Sequence, residues 1–245
     1  MLVQGTLQLP GDKSISHRAI MLSAIADGVS CVRNLNDGAD LQSTINILRD
    51  CGASIEQKED EIIINGKKLH SPSKDLDCGN SGTTTRLVAG LLSSQKLIFT
   101  LTGDESLSKR PMKRIVTPLE GMGCKISSNN GLLPLSIDAS DGITAIDYDM
   151  TVASAQVKSS ILFSALGGNN ISSINEIIPT RNHSEIMLKN MGVSIEREGS
   201  KIIVHPLKSK LKSIDISVPS DPSSAAFFAA LAVINNNSNL KLTNV

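Results

Sequence analysis

The stretch Leu48-x-x-Cys51-Gly52-x-x-Ile55 decides the fold, because the same pattern returns twice further along the chain. The two later copies are Leu119-x-x-Met122-Gly123-x-x-Ile126 and Leu188-x-x-Met191-Gly192-x-x-Ile195. The glycines of neighbouring copies lie about 70 residues apart. A pattern that keeps one period over most of a 245-residue chain predicts three copies of one structural unit.

Each of these glycines is expected to end an amphipathic helix. The first residue beyond a helix often has a left-handed backbone, which glycine adopts without steric cost. In the first copy Leu41, Ile45 and Leu48 fall on one face of the preceding helix. Beyond each glycine the pattern predicts two short strands joined by a polar turn. An apolar residue opens a strand ten positions after each glycine: Ile62, Leu133 and Ile202.

A second kind of helix begins each unit. The three segments span residues 14–26, 81–92 and 154–166, and beyond the first turn they are apolar nearly all round. That composition is typical of a helix buried on every side. The expected unit is therefore β-α-β-α-β-β. The expected fold class is α/β (α+β), with three βαβαββ repeats, buried parallel helices and small sheets outside.

The N-terminal turns of the three buried helices are rich in Ser, Thr, Lys, Arg and Gln. A helix presents its free N–H groups and the positive end of its dipole at this end. Four basic residues lie on these helices: Lys13, Arg18, Arg86 and Lys158. If the helices pack side by side, their N-termini and these cations would form a receptor for a multiply charged anion. The alternative is that the hydroxyls are ordinary helix caps and that solvent surrounds the charges.

Composition argues against several classes of protein. The 24 basic and 24 acidic side chains cancel, which disfavours binding to nucleic-acid phosphates. Four Phe, one Tyr and no Trp leave few rings on which bases could stack. The longest apolar run, residues 225–234, is too short to span a membrane. The N-terminus lacks the features of a secretory signal. The four cysteines are scattered, which indicates neither a disulfide framework nor a metal site. We therefore expect a cytoplasmic protein.

Six motifs occur in a fixed order along the chain. They are Gly11-Asp-Lys13-Ser14-Ile-Ser16-His17-Arg18-Ala19, Asn80-Ser-Gly82-Thr-Thr-Thr-Arg86-Leu, Gly103-Asp-Glu-Ser-Leu-Ser-Lys-Arg110-Pro111-Met112, Ser154-Ala155-Gln156-Val-Lys158-Ser159, Thr180-Arg181-Asn182-His183-Ser-Glu185 and Val218-Pro-Ser-Asp-Pro-Ser-Ser-Ala-Ala226. Pro111 is placed to be the first residue of a helix. Together the motifs resemble the 5-enolpyruvylshikimate-3-phosphate (EPSP) synthase family over the whole chain. The resemblance implies an enolpyruvyl transferase-like fold of two domains, each an inside-out barrel of three βαβαββ units.

The resemblance also implies an activity. Members of this family transfer the enolpyruvyl group of phosphoenolpyruvate to the 5-hydroxyl of shikimate 3-phosphate, a step of aromatic amino-acid biosynthesis and the target of glyphosate. The reaction proceeds by addition and then elimination of phosphate, with no metal and no organic cofactor. Both substrates are anions, so the protein must hold like charges together and supply a proton donor and acceptor.

The resemblance assigns shikimate 3-phosphate to residues of three motifs. Lys13 matches the family's lysine that touches both substrates and can take part in acid–base catalysis. Ser14 and Arg18 match residues that hold shikimate 3-phosphate, one helical turn apart. The other residues matched to the phosphate and the ring are Ser154, Ala155, Gln156 and Arg181, with Thr180 as a weaker candidate.

The phosphoenolpyruvate side is matched by Gly82, which leaves room, and by Arg110, whose guanidinium pairs with an oxyanion. For Arg86 a structural ion pair and a ligand contact are both open. Glu185 and His183 open the third amphipathic helix, where capping or a surface position is favoured over catalysis.

The length of the chain departs from the family. Its members are nearly twice as long, so the resemblance covers their N-terminal half. We expect residues 11–219 to form the three-repeat substrate-binding domain, and residues 1–10 and 220–245 to be incomplete pieces of a second domain. The C-terminal domain, which carries the family's aspartate base, would be a partner that this chain needs for turnover. Without it the apolar run 225–234 is expected to be disordered or to self-associate.

Other functions are open at this point. The chain could be a non-catalytic domain that binds shikimate 3-phosphate or a similar anion. It could also be the sibling enolpyruvyl transferase that acts on UDP-N-acetylglucosamine. That enzyme has related repeats, but a Lys-Asn pair where this chain has Lys13-Ser14, and a cysteine-bearing loop not seen around Arg110. An RNA-terminal-phosphate cyclase has related repeats too, but the neutral charge disfavours a nucleic-acid partner, and no membrane partner is expected.

Overall fold

A computed structural model describes residues 2–245. The helices in this range follow the order of the repeats. They are α1 (Lys13–Ala24), α2 (Ala39–Asp50), α3 (Gly82–Ser94), α4 (Glu105–Ser108), α5 (Lys113–Gly121), α6 (Ala155–Ala165), α7 (His183–Asn190) and α8 (Pro222–Val233). None of the helices within residues 2–245 combines the length and the apolar composition needed to cross a lipid bilayer.

The strands are short and form three mixed sheets and a two-stranded ribbon. They are β1 (Gln4–Gln8), β2 (Ala26–Arg33), β3 (Ser54–Gln57), β4 (Glu61–Gly66), β5 (Leu76–Asp77), β6 (Ile98–Thr102), β7 (Lys125–Asn129), β8 (Leu132–Asp138), β9 (Asp147–Asp149), β10 (Ser172–Asn175), β11 (Ile195–Glu198), β12 (Lys201–Val204), β13 (Leu211–Lys212), β14 (Asp215–Ser217) and β15 (Asn239–Thr243).

The second and third repeats build the same sheet. The strand order is β5-β6-β8-β7 in the second repeat and β9-β10-β12-β11 in the third. In both sheets the first pair is parallel and the other two pairs are antiparallel. A buried helix makes the crossover between the two parallel strands, α3 in one sheet and α6 in the other. The predicted β-α-β-α-β-β unit is therefore confirmed.

The first repeat completes its sheet with strands from beyond the third repeat. β2, β4 and β3 keep the antiparallel order of the other units. The place of the parallel first strand is taken by β13 and β14, which both pair with β2. β1 instead pairs in parallel with β15 in the separate ribbon. The three repeats thus close into a ring, because the strands after the last repeat complete the first.

All three repeat glycines end a helix in the same way. Gly52, Gly123 and Gly192 have φ values of 93°, 94° and 94°. In the first repeat the glycine N–H donates to the Arg49 carbonyl and the next N–H donates to the Leu48 carbonyl, both at 2.8 Å. The same pair of bonds recurs at the other two glycines. This is the Schellman arrangement, so the repeated pattern marks three helix ends, as predicted.

The interior of the molecule consists of α1, α3 and α6. Past their first turns nearly every residue is buried. α3 and α6 pack so closely that a Cβ on Gly90 would lie 2.1 Å from the Ser160 carbonyl oxygen. The three helices begin and end within two residues of the predicted spans. α1 begins earlier than predicted because Asp12, and not Ser14, is its N-cap.

Two local predictions are wrong. Pro111 does not begin a helix, since α4 ends at Ser108 and α5 begins at Lys113. Residues 225–233 are not disordered but belong to α8, where the Asp221 side chain accepts a hydrogen bond as N-cap and proline follows at the first helical position. Capping and alanine-rich composition are enough to specify this helix locally. Its apolar side chains are nevertheless exposed, Phe227 to 79%.

Candidate anion-binding site

The N-terminal turns of α1, α3 and α6 meet at one cavity of about 500 Å³. Ser14 of α1, Thr83 of α3 and Gln156 of α6 line it. Its other lining residues are Arg18, Ser154, Ala155, Pro179, Thr180 and Arg181. The three N-termini therefore converge, as the sequence indicated, and bring their positive dipole ends to one place.

Each of the three N-termini carries a side-chain cap. Asp12, Ser81 and Ser154 each accept a hydrogen bond from the backbone N–H three residues later. A cap satisfies one of the four unpaired N–H groups of a helix. The capping interpretation is thus right for the two serines and for Asp12. It does not apply to Ser14, which lies inside α1 and lines the cavity.

Arg18 is the buried cation of the cavity, and only 3% of it is exposed. Its guanidinium donates to Ser184 Oγ, Ser159 Oγ and the Ser14 carbonyl, each at 2.7 Å. None of the ion pairs within residues 2–245 includes it. Burial lowers the pKa of Arg18 to about 10, so the group is still charged at neutral pH. An anionic ligand would compensate a charge that the protein leaves unpaired.

Arg181 approaches α1 from the segment that precedes α7. Its Nη1 donates to Ser14 Oγ at 3.4 Å. Three effects act on the pKa of Arg18. Burial lowers it most, the charge of Asp12 raises it, and the charge of Arg181 lowers it further, because the two guanidinium groups are near each other. Two like charges held close together are stabilised when an anion binds between them.

A second arginine cluster adjoins the cavity through Gln156. Its Oε1 accepts a hydrogen bond from Arg86 Nη1 at 3.0 Å, and its Nε2 donates to Thr83 Oγ1 at 2.9 Å. A Cβ on Gly82 would lie 2.6 Å from Arg86 Nη1 and 3.7 Å from Arg110 Nη1. Gly82 therefore leaves the room that the Arg86 guanidinium occupies.

The second cluster forms no ion pair within residues 2–245, although hydrogen bonds first, and then the nearby charge of Arg110, lower the pKa of Asp104. Burial, and then the charges of Arg110 and Arg114, lower the pKa of Arg86. No ion pair in the part of the chain that the structure describes involves any of these three arginines. Arg110 Nη1 donates to the Asn80 carbonyl at 3.3 Å, and Nη2 donates to the Asn80 side chain. Within residues 2–245 Arg86 therefore has no structural ion pair, and the cluster places three positive charges beside the cavity.

Lys13 lies at the edge of the site and does not line the cavity. Its Nζ forms an ion pair with Asp40 of α2. The Asp40 carbonyl in turn accepts a hydrogen bond from Thr84 Oγ1 of α3 at 3.2 Å. Because 44% of the Lys13 side chain is exposed, its amine can reach a bound ligand.

His17 holds the helices together beneath the site. Its Nδ1 is 2.8 Å from Thr44 Oγ1, which is 2.8 Å from Thr84 Oγ1. Burial, and then the charge of Lys13, lower the pKa of His17 to about 3, so the ring is neutral. Its Nε2 finds no hydrogen-bond partner within residues 2–245. The ring therefore joins α1 to α2 and α3 and does not contact the cavity.

Lys158 is not part of the anion receptor, which corrects the prediction made for it. Its Nζ lies 2.9 Å from Glu176 and 2.8 Å from Glu185, and 1% of its side chain is exposed. Arg197 pairs with the same two glutamates at 3.2 and 3.3 Å. These four residues are called the buried ion cluster below. Glu185 belongs to this cluster. It is therefore neither a helix cap nor a surface residue, which were the two roles favoured from the sequence.

The charge state of Glu176 is set by this cluster. Burial opposes ionisation of its carboxyl, but hydrogen bonds from Thr180 and Lys158 outweigh that effect and lower its pKa. The carboxylate is therefore present at neutral pH, next to the segment that carries Thr180.

Sequence reasoning missed several contributors to the site. The sequence could have indicated Thr83, since it is one of three threonines in the first turn of the second buried helix. No local pattern indicates the roles of Ser184, Asp40 and Glu176, because each contacts its partner only in the folded protein. Ser184, for example, is 166 residues from Arg18 in the chain.

Three repeats with interior helices, and an arginine-lined cavity at the helix N-termini, are the features expected of a domain for small anionic ligands. The family model for "EPSP synthase (3-phosphoshikimate 1-carboxyvinyltransferase)" matches residues 2–245. The chain belongs to the EPSP synthase family.

Individual relatives agree with the family match. A 3-phosphoshikimate 1-carboxyvinyltransferase of Ruthia magnifica subsp. Calyptogena magnifica is 46% identical over 246 residues, which cover 99% of this chain and 56% of that protein. One of Endomicrobium trichonymphae is 44% identical over 248 residues, covering 99% and 57%. The solved EPSP synthase from Acinetobacter baumannii superposes with a TM-score of 0.92 at 44% identity and covers 100% of this chain and 57% of its own. The chain thus spans little more than half the length of these relatives and corresponds to their N-terminal half.

Proposed function

We propose that this chain supplies the shikimate 3-phosphate half-site of a 3-phosphoshikimate 1-carboxyvinyltransferase. The observation that carries the proposal is Arg18, a buried cation without a carboxylate partner in residues 2–245, at the meeting point of three helix N-termini. Family membership supports shikimate 3-phosphate as the anion. The same match, together with the Lys13-Ser14 pair, favours this substrate over UDP-N-acetylglucosamine.

In this proposal the 3-phosphate binds at the N-terminus of α6. The backbone and hydroxyl of Ser154 and the N–H of Ala155 offer donors there, and Arg181 adds a charge. Ser14 and Arg18 hold the remaining polar groups of the ring from α1. The uncharged Gln156 flanks the ring, since it bridges the cavity and the second arginine cluster.

Phosphoenolpyruvate is proposed to bind at that second cluster. Arg110 pairs with one of its anionic groups, and Gly82, the first residue of α3, leaves the room in which the Arg86 guanidinium lies beside it. Arg86 joins this set, because its Nη1 lies between Gln156 and Gly82 and no acid in the described residues neutralises it. Two adjacent cationic clusters would hold the two anions side by side despite their repulsion.

The reaction begins with attack of the 5-hydroxyl oxygen of shikimate 3-phosphate on C2 of phosphoenolpyruvate. The hydroxyl loses its proton to a base while C3 gains one. The tetrahedral adduct then loses phosphate from C2 and a proton from C3, which restores the double bond. Lys13 is the proposed catalytic residue of this chain, because its partly exposed side chain lies at the edge of the site, where the amine can compensate charge and move a proton between the substrates. The other groups are proposed to come from the C-terminal half that the relatives possess.

We further propose residues 11–219 as the substrate-binding domain, with residues 1–10 and 220–245 as pieces of a second domain. Support comes from β1 and β15, which pair only with each other among the strands of residues 2–245. The exposed apolar face of α8 would pack against the C-terminal half of the enzyme. A cytoplasmic location is proposed because all four cysteines are free thiols.

Calorimetric titration of the 245-residue chain with shikimate 3-phosphate tests the half-site. We expect saturable binding at low salt, and binding of unphosphorylated shikimate at least about tenfold weaker, because the phosphate makes charge-assisted contacts. Absence of binding refutes the proposal.

Turnover is tested on the full product of the gene that encodes this chain. With both substrates present it should release phosphate. If it binds shikimate 3-phosphate but releases none, the chain is a non-catalytic binding domain instead.

A further inference from the structure

We propose that Glu176 is a positioning residue for the shikimate 3-phosphate site. Its carboxylate holds the segment 179–181 so that Thr180 and Arg181 stay at the cavity wall. This inference rests on the proposed function, because it concerns the same site, and it assigns a task to a buried charge that the reaction itself does not use.

The carboxylate of Glu176 binds directly to the segment that lines the cavity. Its Oε1 accepts a hydrogen bond from the Thr180 N–H at 2.8 Å, and the Thr180 hydroxyl donates to the same oxygen. The backbone N–H of Glu176 donates to the Ser200 carbonyl at 2.9 Å, which anchors the residue to the β11–β12 hairpin. One buried oxygen therefore closes the turn that ends one residue before Arg181.

The rest of the buried ion cluster fixes Glu176 to the interior. Lys158 Nζ lies 2.9 Å from Oε1, and Arg197 Nη2 lies 3.2 Å from Oε2. Lys158 Nζ also contacts the Thr180 carbonyl at 3.4 Å. Lys158 sits on α6 one turn after Ala155, which lines the cavity. The cluster thus ties the helix at the cavity and the segment bearing Arg181 to one rigid group of charges.

Arg181 depends on this anchor because little else holds it. The one hydrogen bond found for its side chain within residues 2–245 is the 3.4 Å contact to Ser14. The segment just before it is open to solvent, with Ile177 72% and Ile178 64% exposed. A segment with so few buried contacts would otherwise sample many positions, and ordering it on binding would weaken affinity.

Glu185 provides a matched control inside the same cluster. It pairs with Lys158 and Arg197 at 2.8 and 3.3 Å, as Glu176 does, but no hydrogen bond joins it to Thr180 in the described part of the chain. Glu176→Gln and Glu185→Gln therefore remove the same charge from the same ion cluster. Only the first weakens the acceptor that holds Thr180, since a neutral amide accepts hydrogen bonds less strongly than a carboxylate.

The test measures binding of shikimate 3-phosphate to both variants and to their combinations with Arg181→Gln. We expect Glu176→Gln to weaken binding about tenfold and Glu185→Gln by less than about twofold. In the Arg181→Gln background the effect of Glu176→Gln should vanish, because residues that act through one another are not additive. Equal losses in the two glutamate variants, or the same loss of affinity in both backgrounds, would overturn the proposal.

A second readout does not need the ligand. Hydrogen exchange at the Thr180 N–H should be faster in Glu176→Gln and unchanged in Glu185→Gln. If the exchange rate is unchanged in both variants, the proposal is wrong even when binding falls.

If the unmodified chain binds no shikimate 3-phosphate, the proposed function fails, and the exchange result still decides whether Glu176 holds the segment. Should Glu176→Gln fail to fold, Glu176→Asp keeps the charge but withdraws it from Thr180, and the same changes are expected.

Discussion

Arg18 donates three hydrogen bonds to neutral oxygens, each at 2.7 Å, and these fix its guanidinium plane without neutralising it. Leaving a buried cation without a counter-ion destabilises the ligand-free protein, so the cost is recovered only when an anion binds. Lys158 shows the opposite arrangement three residues into α6, where two glutamates compensate the charge and no ligand is needed. Lys158 is thus a structural cation, whereas Arg18 forms no ion pair within residues 2–245 and can bind an anion.

The substitution Arg18→Lys tests this interpretation. Lysine keeps the charge but cannot make three fixed hydrogen bonds and also hold a polar group of the ring. We expect binding of shikimate 3-phosphate to weaken about 100-fold, measured by calorimetry. Arg49→Lys is the control, because Arg49 donates to the Ile55 carbonyl at 2.7 Å, and neither residue lines the cavity. A loss smaller than about threefold for Arg18→Lys would contradict the role given to it.

His17 predicts a pH dependence of stability. The pKa of its ring falls from the ordinary value of 6.5 to about 3 in the folded protein, through burial first and then Lys13. Between these values the unfolded chain binds a proton that the native state does not, so the free energy of unfolding decreases as the pH falls through this window. The slope approaches about 1.4 kcal/mol per pH unit.

Urea unfolding at about pH 7.5 and about pH 5, for the protein and for His17→Gln, isolates this contribution. Glutamine can still bond to Thr44 but does not titrate there. The protein should lose about 2 kcal/mol more than the variant over this interval. Parallel losses in the two proteins would show that His17 does not titrate with a lowered pKa.

At the scale of elements, the site depends on how closely the buried helices approach. α3 and α6 touch where Gly90 faces the backbone of Ser160, and a Cβ there would come within 2.1 Å of a carbonyl oxygen. Since Thr83 and Gln156 project from the N-termini of these same helices, any separation of the pair would also widen the cavity.

Gly90→Ala is therefore expected to destabilise the protein by about 3 kcal/mol or more, measured by urea unfolding. Helix propensity alone predicts the reverse, a gain of about 1 kcal/mol. Gly123→Ala is the comparison, because its added Cβ would make only an ordinary 3.4 Å contact and the cost is that of the left-handed backbone, about 1–2 kcal/mol. A smaller loss for Gly90→Ala than for Gly123→Ala would refute the close-packing argument.

Elements specified by local chemistry were predictable from the sequence. The Schellman glycines and the apolar helices of the interior have short-range patterns, and their positions agree with the structure to within two residues. The position of Pro111 was wrong, because proline suits both a first helical turn and a linking turn. For residues 225–234 the disordered alternative was wrong, because it weighed the missing packing partner above capping and helix propensity, whereas self-association stays a prediction.

For the molecule as a whole, the ring of repeats depends on β13 and β14. These strands supply the parallel neighbour of β2, and Leu211 is fully buried among the core residues. A chain of residues 11–219 retains them, whereas one of residues 11–209 leaves the first sheet incomplete.

We expect the 11–219 chain to fold and the 11–209 chain to be less stable by about 3 kcal/mol or more, since it loses the burial of Leu211 and the pairing of both β13 and β14 with β2. Circular dichroism and urea unfolding of the two chains provide the measurement. Equal stability would mean that the ring closure contributes nothing, and an unfolded 11–219 chain would refute the proposed domain boundary.

Contacts that join distant parts of the chain could not be predicted. The sequence indicated that three helix N-termini with basic residues meet, but not which cations lack acids. That distinction rests on partners such as Glu176 for Lys158 and Ser184 for Arg18, which the fold brings together. The same holds for β2 and its partner strands, whose pairing is not visible in any local pattern.

The late pairing of β2 has a consequence for synthesis of the protein. Asp215 of β14 follows Arg33 of β2 by 182 residues, so on the ribosome the first sheet keeps a bare edge until nearly the whole ring has been translated. At roughly 5–20 residues per second this takes roughly ten to forty seconds. During that time the backbone groups at the edge of β2 are unpaired and can bind strands of other chains. We therefore expect chaperones to protect the nascent chain from aggregation at this edge.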